Sequence, residues 1–163
     1  MANYSFVTRW RFDAPIEPVW DAIRRYKEWP HWWPSIAEAR LITHGDSNGI
    51  GEAVEFAFRT RLPYRLRFRM TTVRIVPPRE LDGRAEGELR GTGRWRLAPD
   101  DGGTRVTYYW DVQTASRWMN LLAPIARPVF RWNHDQVMED GRRGLARLLA
   151  HRAPATAATP ARG

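Results

Sequence analysis

The sequence predicts one α+β domain, with an antiparallel β-sheet that is followed by a single long helix. Three observations lead to this prediction. Apolar and polar residues alternate along residues 4–12, further alternating segments separated by turn sequences fill residues 36–113, and apolar residues recur at helical spacing from about residue 121 to 151. The chain has 163 residues, a length that is typical of one domain with its own core.

The N-terminal third is predicted to hold one strand and two short helices. Asp13, Pro15 and Pro18 predict the start of a helix, because Asp can cap free N–H groups and proline is tolerated in a first turn. Pro30 and Pro34 then allow at most one short helical turn between them. The preceding strand places one set of residues on a single face: Tyr4, Phe6, Thr8, Trp10 and Phe12.

Residues 36–113 are predicted to form six further strands, joined by short connections that indicate an antiparallel meander. One face of these strands is apolar and aromatic, and the other is rich in arginine. Val73 and Ile75 have the opposite parity to Met70, which predicts a bulge near Thr71-Thr72. The segment Gly91-Thr92-Gly93 predicts a bulge or a close backbone approach rather than a phosphate-binding loop.

A helix is predicted from about Leu121 to His151. Gly141 and Gly144 each cost about 1 kcal/mol relative to Ala in a helix, so they indicate close contact with another element. Residues 153–163 contain no large apolar residue and are predicted to be a disordered tail, which leaves residues 1–152 as the domain. One stripe of the helix carries Phe130, Asn133, His134, Val137, Gly141, Leu145 and Leu148.

The order of these elements, together with five local phrases, resembles the SRPBCC superfamily of START-like, helix-grip proteins, which includes polyketide cyclases and lipid-transfer domains. The resemblance covers about residues 3 to 150. It implies a curved antiparallel sheet of about seven strands, wrapped around the C-terminal helix with an apolar cavity between them. The phrases are Phe12-Asp13-Ala14-Pro15, Trp29-Pro30-x-Trp32-x-Pro34, Gly93-x-Trp95-x-Leu97, Gly102-Gly103-Thr104-x-Val106-Thr107 and Trp132-Asn133-His134-x-x-Val137-Met138-x-x-Gly141.

The aromatic face of the sheet predicts the ligand. Side chains of this kind either fill the interior as a dry core or line a pocket for a hydrophobic small molecule, such as a lipid, a polyketide or an aromatic metabolite. We expect the second arrangement in the cavity that the resemblance implies. The predicted ligand-binding residues are Trp10, Phe56, Phe58, Leu66, Phe68, Met70, Trp95, Tyr108, Trp110, Asn133, His134 and Val137.

A second hypothesis is an enzyme, a polyketide cyclase or dehydrase that acts on a poly-β-keto chain in the same cavity. His134 and Asn133 are the catalytic candidates, because they could polarise a carbonyl or move a proton there. The alternative for His134 is a structural histidine with local hydrogen bonds. Asp135 lies about 100° further round the helix, so we do not expect it to orient His134.

Several kinds of site are not predicted. The chain has no Cys, which excludes thiolate nucleophiles and thiolate-bound metals. The four histidines lack metal-ligand spacing, and no nucleotide-binding motif stands in a suitable context, so neither a metal nor a cofactor is expected.

Charge and hydropathy bear on the partners. The net charge is +8, and every basic residue except Lys27 is arginine. Nucleic-acid or membrane-surface binding through the arginine-rich face is therefore a third, less favoured hypothesis.

Trp29, Trp32 and Trp33 either pack over the end of the sheet or contact a membrane surface. No secretion signal or apolar run of membrane-spanning length is present, so a cytoplasmic location is expected, and the sequence does not indicate an oligomeric state.

Overall fold

A computed structural model describes residues 3–115 and 117–153. The predicted tail lies outside these ranges, except for Ala153. The described chain folds into seven strands and three α-helices, with a 3-10 turn at Tyr26–Glu28 between the first two helices. The strands are β1 (Asn3–Phe12), β2 (Ile36–Thr43), β3 (Ala53–Arg59), β4 (Arg65–Val76), β5 (Glu80–Gly87), β6 (Leu89–Asp100) and β7 (Gly103–Thr114), and the helices are α1 (Ile16–Arg24), α2 (Trp29–Trp32) and α3 (Arg117–Arg152).

The strands form one antiparallel sheet in the order β1-β7-β6-β5-β4-β3-β2. The first strand therefore lies beside the last, with Trp10 opposite Val106, while the other strands pair with their neighbours in sequence. The sheet is curved, and α3 packs against its apolar face, where Leu145 and Leu149 share one buried cluster with Val106 and Leu97. The prediction of an α+β helix-grip fold is confirmed.

The irregularity predicted in β4 is present. The pairing of β4 with β5 shifts register between Thr72 and Arg74, so Thr72 is buried while Val73 is 45% exposed. The two faces of the strand are exchanged after Thr72 rather than directly after Met70, since Ile75, which has the opposite parity, packs against the buried cluster. Strand β2 carries two further register shifts that the alternation pattern did not predict.

The starts of two helices differ from the prediction. Helix α1 begins at Ile16 after Pro15, with no side-chain cap, because the carboxylate of Asp13 pairs with Arg11 instead. Helix α3 begins at Arg117 rather than near Leu121. Thr114 Oγ1 at the end of β7 donates a hydrogen bond of 2.6 Å to Asn120 Oδ1 in the first turn of α3. This contact joins strand and helix directly, and periodicity cannot reveal it.

The two glycines of α3 are in close contact with the segment that contains α2. A Cβ atom on Gly141 would lie 2.5 Å from Trp33 Cε2, and one on Gly144 would lie 1.7 Å from the carbonyl oxygen of Trp32. Trp33 Nε1 also donates a 2.8 Å hydrogen bond to the carbonyl of Val137. The predicted close contact is confirmed.

The tryptophans of the N-terminal region are interior residues. Trp29, Trp32 and Trp33 are all buried, at 6%, 6% and 2% exposure. They therefore pack over the end of the sheet, which is the arrangement that the sequence favoured over contact of these side chains with a membrane.

The arginine-rich face of the sheet is interleaved with carboxylates from neighbouring strands. Arg40 pairs with Glu55 at 2.8 Å, and Arg94 pairs with Asp111 at the same distance. This face therefore carries cross-strand ion pairs of both charges rather than an uninterrupted positive charge. None of the helices in the described ranges has the length and apolar character needed to span a bilayer.

Candidate functional site

A cavity of about 130 Å³ lies between the sheet and α3. Eleven of the twelve predicted ligand-binding residues line it, and Trp10 does not. Trp10 is on the predicted face of β1 but near the C-terminal end of the strand, where its ring packs against Trp33 at 5.8 Å and Trp95 at 5.5 Å. The segment that follows α1 covers that end of the sheet, which is why Trp10 belongs to the core.

The prediction also missed part of the wall. Tyr4 and Phe6 could have been found, because they share the parity of Trp10 on β1. Tyr64 comes from the connection between β3 and β4, which has no periodic pattern. The aromatic residues that line the cavity without having been predicted are Tyr4, Phe6, Tyr26, Trp29, Trp33, Tyr64 and Phe130.

The walls of the cavity are stacked rings. Trp95 and Tyr108 have centroids 4.1 Å apart, and Phe58 and Phe68 are nearly parallel, with an interplanar angle of 7°. Trp110 lies 5.5 Å from Phe68 and continues this row toward β7. Flat, parallel faces of this kind favour a planar ligand, because offset stacking maximises contact between rings.

Two glycines allow the rings and Met70 to lie close to the sheet. A Cβ atom on Gly93 would be 2.4 Å from Tyr108 Oη and 3.1 Å from the ring of Trp110. A Cβ atom on Gly83 would be 2.5 Å from Met70 Cε. The close approach predicted for the Gly91–Gly93 segment is therefore confirmed, and it makes room for the aromatic wall.

His134 contributes one polar group to the cavity. Its side chain is 13% exposed, and its ring stacks on Phe6 at 4.0 Å. Nε2 is buried and has no hydrogen-bond partner in the part of the chain that the structure describes. Burial lowers the pKa of His134 from its ordinary value, so the ring is neutral at pH 7.

The carboxylate of Asp135 reaches His134, contrary to the sequence-based expectation. Asp135 Oδ1 lies 3.4 Å from Nδ1 of the imidazole. The expectation considered only the angle between the two positions on the helix, whereas the exposed Asp135 side chain bends back toward its neighbour. This contact favours the tautomer with the proton on Nδ1, which leaves a lone pair on Nε2.

Tyr4 contributes a second polar group without a partner. Its hydroxyl is buried and makes no hydrogen bond to any described residue. Burial raises the pKa of Tyr4, and the hydroxyl is therefore a neutral donor. The ring packs edge-on against Phe130 at 5.9 Å, which ties β1 to α3.

Asn133, the other catalytic candidate, has a structural contact. It is 7% exposed, and its Oδ1 accepts a 3.0 Å hydrogen bond from the backbone N–H of Arg61. Thr60 closes the same connection, because its single hydroxyl proton is shared between the carbonyl oxygens of Leu62 and Tyr64, each 3.1 Å from Oγ1. Asn133 thus holds the connection between β3 and β4 against α3.

The remaining polar groups of the wall are neutral. Burial raises the pKa of Tyr26 to about 12 and that of Tyr64 to about 12, and it also raises the pKa of Tyr108. Among the described residues that line the cavity, none is Asp, Glu, Lys or Arg. The cavity therefore suits an uncharged group, because burial of an unpaired charge is very unfavourable.

Comparison with known proteins places this geometry in a family. The family model described as "Polyketide cyclase / dehydrase and lipid transport" matches residues 4–150. No curated protein matches the chain.

Several solved structures have the same fold. The di-domain aromatase/cyclase BexL of the BE-7585A biosynthetic pathway has a TM-score of 0.73 and 19% identity over 93% of this chain, which spans only about half (51%) of BexL. The ZhuI aromatase/cyclase of Streptomyces sp. R1128 has a TM-score of 0.78 and 14% identity over 96% of this chain and 99% of its own. A START superfamily protein of Mycobacterium smegmatis has a TM-score of 0.72 and 11% identity over 93% and 99% of the two chains. From the extent of the family match and the shared fold, the chain belongs to the polyketide cyclase/dehydrase and lipid transport family of the SRPBCC superfamily.

Proposed function

We propose that the protein binds a planar, uncharged and mostly apolar small molecule in the cavity between the sheet and α3. The observation that carries this proposal is the pairing of an apolar cavity with two buried polar atoms, Tyr4 Oη and His134 Nε2, that have no hydrogen-bond partner among the residues the structure describes. A ligand with an aromatic body and one hydroxyl or carbonyl group satisfies both features.

The energetics favour a cavity that is filled. An empty cavity of about 130 Å³ costs about 3 kcal/mol of folding free energy. Each buried polar atom without a partner adds about 1 to 3 kcal/mol. A bound ligand removes these costs together, since its rings replace the missing contacts and its polar group bonds to Tyr4 or His134.

The volume indicates the size of the buried group. A dry cavity of about 150 Å³ is known to hold benzene. The cavity here is of similar size, so it encloses about one of the rings of an aromatic ligand, and the stacked walls orient that ring.

The test compares naphthalene with 2-naphthol by titration calorimetry and tryptophan fluorescence. We expect both to bind with little dependence on salt, and 2-naphthol to bind about three to ten times more tightly because of one additional hydrogen bond. His134→Phe and Tyr4→Phe together remove that difference while preserving the rings. Failure of the wild-type protein to bind either compound would overturn the proposal.

A filled-cavity variant provides the control for location. Leu66→Trp places a larger ring in the cavity wall. Because the larger side chain overpacks the site, binding of both compounds should weaken by about tenfold or more. Val73→Trp adds the same ring to the exposed side of the same strand and should leave binding unchanged. Equal affinities in the two variants would place the compounds elsewhere.

The second candidate function is cyclisation or dehydration of a poly-β-keto chain in the same cavity. The observation in its favour is the neutral His134, whose Nδ1 contacts Asp135 while Nε2 has no hydrogen-bond partner among the described residues. In this reaction Nε2 accepts a proton from a carbon flanked by two carbonyls, and the Tyr4 hydroxyl donates to the carbonyl oxygen as negative charge develops there. The resulting enolate carbon forms a bond to a second carbonyl carbon of the chain, and the oxygen of that carbonyl takes the proton from Nε2 to become a hydroxyl group. Elimination of this hydroxyl group together with the remaining hydrogen of the attacking carbon releases one water and forms a C=C bond.

This candidate is tested by turnover of a tri-β-ketone ester, followed by absorbance of the aromatic product. His134→Phe should lower turnover by about a hundredfold or more, since general-base catalysis contributes that much. Naphthalene does not use Nε2, so its binding should not change in the same variant. Turnover that survives the substitution would exclude His134 as the base.

A further inference from the structure

The first half of α3 carries an apolar stripe on its outer side. The stripe consists of Leu121, Ile125, Val129 and Trp132, which are 81%, 83%, 42% and 47% exposed. Spacings of four, four and three residues place these side chains on one face of the helix. Leu121 and Ile125 are by far the most exposed large apolar residues in the described ranges.

The charge around this outer stripe is mostly positive. The sequence from Val112 to His134 contains three arginines and no Asp or Glu, and the exposed carboxylate of Asp135 follows directly after it. Arg117, Arg127 and Arg131 lie on one side of the stripe, about 40 to 120° round the helix from Leu121 at 3.6 residues per turn. This segment differs from the arginine-rich face of the sheet, where carboxylates alternate with the guanidinium groups.

We propose that the outer stripe of α3 docks on an anionic lipid surface. A helix with an apolar face, a tryptophan and flanking arginines lies in the interface plane, with its apolar side chains inserted and its cations at the headgroups. The excess of arginine over acidic residues along this part of α3 matches the negative charge of such a surface.

A second copy of the chain fits this face less well. Two stripes packed together would bring the arginines of both copies close to one another, and the carboxylate that follows the segment, Asp135, already contacts His134. The net charge of +8 adds to that repulsion.

The position of the stripe relates it to the cavity. The opposite side of the same helix lines the cavity with Phe130, Asn133 and Val137. A helix with its side chains is about 10 to 12 Å across. Docking would therefore place the cavity about one helix diameter from the lipid, a short path for an apolar ligand.

The test is co-sedimentation of the full chain with vesicles of phosphatidylcholine and of phosphatidylcholine with 30% phosphatidylglycerol. We expect binding to the anionic vesicles only, and binding that falls as salt rises. Ile125→Glu with Leu121→Glu should abolish it. Arg117→Gln with Arg127→Gln should weaken it about thirtyfold, if each arginine contributes its usual share of the attraction.

Val73→Glu is the matched control, because it places a carboxylate on an exposed apolar residue away from the stripe, and it should bind as the wild type does. Urea unfolding of every variant separates loss of docking from loss of fold. Sedimentation velocity without vesicles tests whether a second copy of the chain binds the stripe instead. If the wild type is a dimer and Ile125→Glu is a monomer, the proposal is overturned in favour of a second copy. Equal binding to both vesicle types, or to neither, would also overturn it. The docking variants should bind naphthalene as the wild type does. The vesicle experiment and the cavity-binding experiment can therefore fail independently of each other.

Discussion

The imidazole of His134 lies flat against the ring of Phe6, with centroids 4.0 Å apart and planes inclined by 11°. The pair joins α3 to the edge strand β1 across the cavity wall. The stack buries one side of the imidazole, and burial is the main reason that its pKa is lowered. Packing and protonation of this residue are therefore linked.

This linkage predicts a loss of stability in mild acid. In the unfolded chain His134 has its ordinary pKa of 6.5, and in the folded chain the pKa is lower. As the pH falls below 6.5, the unfolded state takes up a proton that the folded state does not, so the free energy of unfolding decreases down to the folded-state pKa. His134→Phe keeps the stack and should lose less stability between pH 7.5 and 5.5 in urea titrations. Parallel losses in the wild-type protein and in His134→Phe would contradict the assignment.

Gly144→Ala should destabilise the protein although alanine favours helices. Helix propensity alone predicts a gain of about 1 kcal/mol. The new Cβ atom would lie 1.7 Å from the carbonyl oxygen of Trp32, and backbone cannot move as a flexible side chain can. Overpacking typically costs about 1 to 3 kcal/mol, so after the gain in helix propensity we expect a net loss of about 1 to 2 kcal/mol in urea unfolding. Arg143→Ala changes an exposed neighbour and should shift stability by less than about 0.5 kcal/mol, whereas a stabilised Gly144→Ala would show that α3 does not contact Trp32 in this way.

Asn133→Ala should loosen the connection between β3 and β4. It leaves the backbone N–H of Arg61 without its acceptor, at a cost of about 1 to 3 kcal/mol. Trypsin should then cleave after Arg61 several times faster than in the wild-type protein, as expected when local opening becomes easier. Gln136→Ala, one turn further along α3, is the control, and cleavage at the same rate in both variants would remove Asn133 from this role.

Two cross-strand ion pairs should differ in strength. Arg96 contacts both carboxylate oxygens of Asp82, and the Asp82 side chain is only 16% exposed. Arg40 and Glu55 meet at 2.8 Å, but the Arg40 side chain is 61% exposed. Asp82→Ala should therefore cost about 1 to 3 kcal/mol, and Glu55→Ala should cost clearly less, because solvent screens the exposed pair. Repeating urea unfolding in 1 M NaCl should reduce only the second effect, and a larger effect for Glu55 would contradict the ranking.

Strand faces could be predicted from the sequence because alternation is a local property. Leu66, Phe68 and Met70 were assigned to the cavity wall by parity alone, and they line it. Gly141 and Gly144 were assigned to a close contact because nothing local favours glycine inside a helix. In each case the residue type and its spacing carry the information.

Other features depend on contacts between distant parts of the chain. Parity cannot separate Trp10 from Phe6, since only the packing of Trp33 against one end of β1 excludes Trp10 from the cavity. The contact of His134 with Asp135 depends on side-chain conformation rather than position on the helix. The start of α3 likewise depends on the hydrogen bond between Thr114 and Asn120.

The pairing of β1 with β7 also sets the order in which the sheet can be completed during synthesis. Residue 3 pairs with residue 113, so β1 leaves the ribosome before any of its partner has been made. At about 5 to 20 residues per second, translation of the intervening chain takes about 5 to 20 s. Throughout that interval a strand bearing Tyr4, Phe6 and Trp10 has an open edge that other nascent chains can pair with. The yield of folded protein in a cell therefore depends on protection of this strand by chaperones as well as on the stability of the finished domain.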